Sequence, residues 1–178
     1  GDPNTPANDC GPAGTTTGCG HLVAGTGRVW ETITGAATTP TWYVNSPPNL
    51  TKQTLGNRSF INQLAFEQAL QSTVIVGTND GNVQYVFGLG TVAAATAVDV
   101  TGGNTLLPNR PMQDVTTDPL NPLLGYAAVG GFTANTPTTP GHVFQVTCTA
   151  LCASFTWVDK SGNLPDIPAQ AIVANPHN

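Results

Sequence analysis

Apolar residues in this chain fall in short runs of alternating character, each closed by glycine, proline or asparagine, and the runs recur in a fixed order. Three of them end in glycine: His21-Leu22-Val23-Ala24-Gly25, Thr73-Val74-Ile75-Val76-Gly77 and Tyr126-Ala127-Ala128-Val129-Gly130. Soon after each comes Gly-polar-Val, at Gly27-Arg28-Val29, Gly81-Asn82-Val83 and Gly141-His142-Val143. A third series carries Thr-Trp: Thr41-Trp42-Tyr43-Val44-Asn45-Ser46 answers Thr156-Trp157-Val158-Asp159-Lys160-Ser161, with a weaker copy at Thr96-Ala97-Val98-Asp99-Val100-Thr101. Trp42 to Ala97 is 55 residues and Ala97 to Trp157 is 60, a period that marks an array of supersecondary units. Alternation bounded by turn residues predicts strands, and Thr78-Asn79-Asp80-Gly81 predicts a tight hairpin turn.

One more strand completes the unit. Ile61-Asn62-Gln63-Leu64-Ala65-Phe66 corresponds to Met112-Gln113-Asp114-Val115-Thr116-Thr117 and to Ala169-Gln170-Ala171-Ile172-Val173-Ala174, the last two running into proline turns that stop the ladder. Four short antiparallel strands in roughly 50 residues is the arithmetic of a β-propeller blade. The expected fold is therefore all-β, about three four-stranded blades. Repeat 1 spans about 1–58, repeat 2 about 59–110 and repeat 3 about 111–166, with the first strand of a next blade at about 167–178. Phe66 to Gln71 reads as a variant turn and Ala93-Ala94-Ala95 as a hairpin loop, because neither sustains helical spacing. Three blades fall short of the four to eight that close a ring. The expected partner is therefore the remainder of a larger propeller chain, or a partner subunit that completes the ring. Both termini fall in phase, at the turn after a first strand.

Composition narrows the function classes. Charged residues are 8 % of the 178, with ten acids against five bases and a net charge of −5. No basic run offers a footprint for nucleic acid, and no apolar run approaches a membrane span. The four cysteines form two local pairs, Cys10 with Cys19 and Cys148 with Cys152. Their spacing lacks the twin C-x₂₋₄-C of a zinc site, so two disulfides are expected, and with them an extracellular or periplasmic location. No metal and no cofactor is expected. Asn49-Leu50-Thr51 and Asn57-Arg58-Ser59 match the N-glycosylation acceptor.

With the repeats aligned, the chain resembles sialidase-type propellers, the BNR or Asp-box repeat proteins that include xyloglucanase-type glycoside hydrolases and sortilin-like domains. The third repeat carries the likeness, in Asp118-Pro119-Leu120-Asn121-Pro122, Pro140-Gly141-His142-Val143-Phe144, Thr156-Trp157 and Ser161-Gly162-Asn163-Leu164-Pro165-Asp166-Ile167-Pro168. The Asp-box turn itself is degenerate: Cys152 stands at the Asp position and Ser154 at the Gly position, where a Cys148–Cys152 disulfide is expected to take over its stabilising work. Trp42 and Trp157 are expected to be core residues packed between neighbouring sheets.

The resemblance implies an arginine triad, a tyrosine nucleophile with its glutamate, and an aspartate. Arg28, Arg58 and Arg110 supply the number, but Arg58 and Arg110 sit at matching repeat positions and read as blade parts. Glu31 and Glu67 have no tyrosine at suggestive spacing. Asp80 is the best candidate for a hydrolytic acid, with Asp114 and Asp118 as channel-mouth candidates, although Asp80 and Asp118 both lie in turn sequence. His21, His142 and His177 are scattered over different repeats, and His142 takes the slot of Arg28 and Asn82, expected to be exposed. The loop Phe132 to Pro140 is a candidate binding loop. The expectation is a non-catalytic secreted propeller module that binds protein or glycan or builds a surface assembly, with no catalytic residue assigned. The competing expectation is part of a secreted glycoside hydrolase whose remaining carboxylates lie elsewhere.

Overall fold

The computed structural model describes residues 19–45, 49–67, 72–91 and 94–175. Among them every ladder is antiparallel, and the only helical pieces are single 3₁₀ turns. The first sheet holds β1 (Leu22–Gly25), β2 (Val29–Thr32) and β3 (Tyr43–Val44). The second holds β4 (Ile61–Phe66), β5 (Thr73–Thr78), β6 (Val83–Phe87) and β7 (Thr96–Asp99). The third holds β8 (Met112–Thr117), β9 (Leu124–Val129), β10 (Val143–Cys148) and β11 (Phe155–Asp159). Each sheet is a meander whose strands pair in chain order. The repeat read from the sequence is therefore a repeat of sheets, with three, four and four strands.

One expected strand, at 169–174, is missing from this count. The first sheet has no strand on the inner side of β1 among the described residues. The segment 169–174 forms no ladder either, although it is extended and buries alternate residues: Ala171 and Val173 are exposed, Ile172 and Ala174 partly covered. A first strand is held in place by its second strand, as β4 is by β5. None of the described residues offers 169–174 that partner. Residues 68–71 and Ala93 lie outside the described residues, so the turn expected after Phe66 and part of the Ala93-Ala94-Ala95 loop do too.

The sheets stack face to face, and alternation assigns each face. Val74, Val76 and Val86 point back toward the first sheet, where they meet Val29, Leu50 and Ile61 in one core cluster. Ile75, Val83 and Tyr85 point forward, meeting Met112, Val129, Phe144, Val146 and Trp157 in a second cluster. Period-two side-chain direction lets one strand feed two cores, which is why β5 and β6 read as nearly continuous apolar runs.

Inner strands β4 and β8 run side by side, and each carries a bulge at the same repeat position, between Ile61 and Gln63 and between Met112 and Asp114. The bulge swings Asn62 toward the next sheet, where its amide donates to the Met112 carbonyl at 2.8 Å and to Gln113 Oε1 at 3.1 Å. The recurring glycine at the end of the second strand is a matter of space. A Cβ on Gly77 would stand 2.8 Å from Met112 Cβ, and one on Gly25 would stand 2.6 Å from Ile61 Cγ2.

Trp157 sits as expected. It is buried in the second seam, and its indole N–H donates to the Val100 carbonyl of the preceding sheet at 2.6 Å. Trp42 does not: it is 37 % exposed. By the same register it points backward out of the first sheet, where the described residues place no neighbour. The expectation of two core tryptophans holds for one.

Candidate functional site

Asp80 is the residue on which a hydrolytic reading depends. It closes the hairpin between β5 and β6, where Gly81 takes a φ of +82°. The side chain is buried, and Thr78 Oγ1 donates to Asp80 Oδ1 at 2.6 Å. Lys52 clamps the same turn, donating from Nζ to the Gly81 carbonyl at 2.7 Å and to Asn109 Oδ1 at 2.9 Å, with a further bond to Asn104 Oδ1. Burial alone would push the Asp80 pKa up. Donors on Thr78, Ser59 and the Lys52 and Thr54 backbone outweigh it and hold the carboxyl below the usual carboxylate range. A lowered pKa does not suit the general-acid role, and burial in the turn denies Asp80 the open approach to substrate that the ionised base or nucleophile would need.

This arrangement predicts a pH-dependent role in stability. The folded pKa of Asp80 lies below its unfolded value, so the folded state binds fewer protons. The stabilisation is complete above the ordinary carboxylate pKa of about 3.9 and is lost as pH falls through the folded value. Asp80→Ala, which strands the Thr78 hydroxyl, is expected to cost about 1–3 kcal/mol at pH 7. In urea titrations the gap between wild type and variant should narrow on going to pH 3.

Glu67, which had no tyrosine at suggestive spacing in the sequence, is buried and lines a cavity together with Tyr85, whose pKa is pushed up by burial and by Glu67. The other two candidate acids hold backbone. Asp114 accepts from the backbone N–H groups of Val115 and Ile172, both at 2.9 Å, and so ties the segment 169–174 to β8. Asp118 accepts from the Leu120 and Asn121 N–H groups at 2.9 and 3.0 Å and from the Tyr126 hydroxyl at 3.1 Å, which makes it the anchor of its proline turn. No group of three or more His, Cys, Asp or Glu side chains suited to a metal occurs among the described residues.

The arginines do not converge, and they do not share one role either. Arg28 and Arg58 are exposed, whereas Arg110 is buried and donates from Nη2 to the Gly141 carbonyl. Burial lowers the Arg110 pKa, and the nearby Asp166 opposes that shift. Matching repeat positions therefore gave Arg58 and Arg110 different environments. His142, expected to be exposed, is buried instead. Its Nε2 stands 3.0 Å from Asp166 Oδ1. The Thr133 N–H also reaches Asp166 Oδ1, at 2.8 Å, which fastens the start of the Phe132–Pro140 loop to the stretch after β11. Asn82, in the same slot of the second sheet, is buried too, and only Arg28 in the first sheet is exposed. His177 lies outside the described residues.

The most enclosed polar cluster was not singled out in the sequence. Glu31 is fully buried between the first and second sheets. His21 Nε2 stands 2.6 Å from Glu31 Oε1, the Gly90 N–H donates to the same oxygen, and Asn45 Nδ2 donates to Oε2. The His21 ring packs edge-on against Phe66, centroids 5.1 Å apart. The signal was present in the repeat register. Four residues past the Gly of Gly-x-Val stand Glu31, Tyr85 and Gln145, and that position points forward into the next seam.

Of the two expected disulfides, the structure describes one. Cys148 and Cys152 form it, across the turn joining β10 to β11. Leu151 and Cys152 sit there at φ +54° and +51°. The second expected bridge, Cys10 to Cys19, lies outside the described residues through Cys10. Cys19 itself opens the described chain just before β1, half-buried, and it is disulfide-bonded, not a free thiol.

Beside the Cys148–Cys152 bridge, between the second and third sheets, is an apolar cavity of about 400 Å³ lined by Glu67, Tyr85, Phe87, Leu123 and Cys148 among others. Asn49 and Asn57 are both exposed. No helix among the described residues is long and apolar enough to cross a membrane. Comparison with protein-family models, with curated proteins and with solved structures finds no match to this chain.

Proposed function

We propose that the chain is a non-catalytic, secreted β-propeller module whose work is binding protein or glycan, or assembly. The observation that carries this reading is Asp80: the one acid placed where a hydrolase of the resembling kind would need it is sealed in a turn and held ionised. The stacked meanders, with one seam chemistry repeated between successive sheets, support the propeller part. The Cys148–Cys152 disulfide supports an oxidising compartment. Asp114, Asp118 and Glu31 each accept hydrogen bonds that hold a turn, a segment or a seam, which supports structural roles for them.

The test is direct. The purified chain is screened on a glycan array and assayed in parallel against xyloglucan oligosaccharides and aryl sialosides. Retention of ligand without turnover is the expected result. Hydrolysis that disappears in Asp80→Asn would overturn the proposal.

A further inference from the structure

We infer that a second copy of this chain completes the first sheet. Residues 169–174 of one copy add to β1 of the other, the third sheet of the first packs on the open face of the second's first sheet, and the exchange is reciprocal. This rests on the propeller reading above. Three sheets per copy then give a closed ring of six, within the four to eight that propellers use.

Two incomplete halves point to it. β1 has a free inner edge among the described residues, and a bare edge of this kind invites strand addition. Residues 1–18 contain no Val, Ile, Leu, Met, Phe, Tyr or Trp, unlike the sequences of β4 and β8, whereas 169–174 carries Ile172 and Val173. The segment 169–174 already occupies an inner-strand place beside the third sheet. The Ala169 N–H donates to the Val129 carbonyl at 3.3 Å, two residues before the repeat equivalent of Thr26, to which the Ile61 N–H of β4 donates at 2.6 Å. Its outward residue, Val173, is 90 % exposed. The two halves lie at opposite ends of the stack, with the second sheet between them, so one copy does not join them to itself.

The repeat fixes the register. In the second sheet Leu64 pairs with Val76, Ala65 with Ile75 and Phe66 with Val74. The equivalent pairs across two copies are Ile172 with Ala24, Val173 with Val23 and Ala174 with Leu22, all apolar. The faces match as well. Leu22, Ala24, Trp30, Trp42 and Val44 occupy the backward-facing positions that Ala127, Val129, Phe144, Trp157 and Asp159 hold in the third sheet. Trp157 donates to the carbonyl of Val100, and the residue at the Val100 position of the third sheet is Lys160. Lys160 lines a cavity of about 520 Å³, together with Tyr126, Val143, Gln145 and Ile172. That cavity lies where the register brings the Trp42 indole of a second copy.

Sedimentation equilibrium of the 178-residue chain is expected to give twice its 18.3 kDa mass. Val173→Asp should weaken association at least about tenfold while leaving each copy folded by circular dichroism, because Val173 touches little within its own copy. Val23→Cys combined with Val173→Cys should yield an interchain disulfide on non-reducing gels that neither single variant gives. A folded monomer at tens of micromolar would overturn the exchange and leave the module reading standing. So would a dimer indifferent to Val173→Asp and without the cross-link. Glycoside turnover, by contrast, would overturn the module reading alone.

Discussion

Trp157→Ala is expected to cost about 3–5 kcal/mol, the usual range for a large aromatic removed from a packed interior. The indole fills the seam between the second and third sheets among Val100, Phe144 and Val146, and its N–H satisfies the Val100 carbonyl. Truncation leaves both a cavity and an unpaired buried acceptor. Trp42→Ala is the matched control. Below the concentration at which copies associate, it should cost clearly less than Trp157→Ala, because over a third of the Trp42 surface is exposed. Urea unfolding of the two variants at the same dilution checks the pair. Equal losses would mean that Trp42 has a covered environment within its own copy.

Glu31→Ala is the second large effect, about 3–5 kcal/mol. A buried carboxylate is tolerated because its oxygens face donors, and here these are the Gly90 N–H, the Asn45 amide and the neighbouring His21 ring. Removing the acceptor strands those donors between two sheets, where water does not replace it. Glu31→Gln keeps the shape and part of the hydrogen bonding, so it should recover part of the loss. Thermal unfolding of the three proteins at pH 7 decides it. If alanine and glutamine variants were both as stable as wild type, the cluster would not be holding the seam.

Much of the architecture was legible because β strands with two covered faces announce themselves. Val74, Ile75 and Val76 in β5, and Val83, Tyr85 and Val86 in β6, needed no tertiary information. The Gly-x-Val and Thr-Trp landmarks then set the register of all three sheets. What the sequence could not convey was which faces find a neighbour. Trp42 and Trp157 are the same residue at the same repeat position, yet only one has a sheet behind it. The segment 169–174 has a strand's alternation but no second strand to pair with. His142 misled because a polar residue invites a surface assignment, yet it and Asn82 are both buried at their shared slot, and Arg110 parts from Arg58 because the Gly141 carbonyl and Asp166 lie beside it. The cysteines divide along similar lines. Cys148 and Cys152 flank a turn between two paired strands, which holds their backbones close, whereas Cys19 was assigned to Cys10 with no strand pairing to support it. Glu31 was readable in principle, since it shares its slot with Tyr85, but a charged residue invites a surface assignment.

The seams have one more consequence, for how the molecule comes apart. Each sheet touches only the sheets on either side of it, so the chain behaves as a short one-dimensional lattice in which cohesion is a sum over neighbouring pairs. The second sheet belongs to both pairs, whereas the first and third belong to one each. Damage at one seam is therefore shared by the middle sheet and barely felt at the far end. In a single copy, below the concentration at which copies associate, loosening should begin at the flanks, with β5 and β6 the last strands to open.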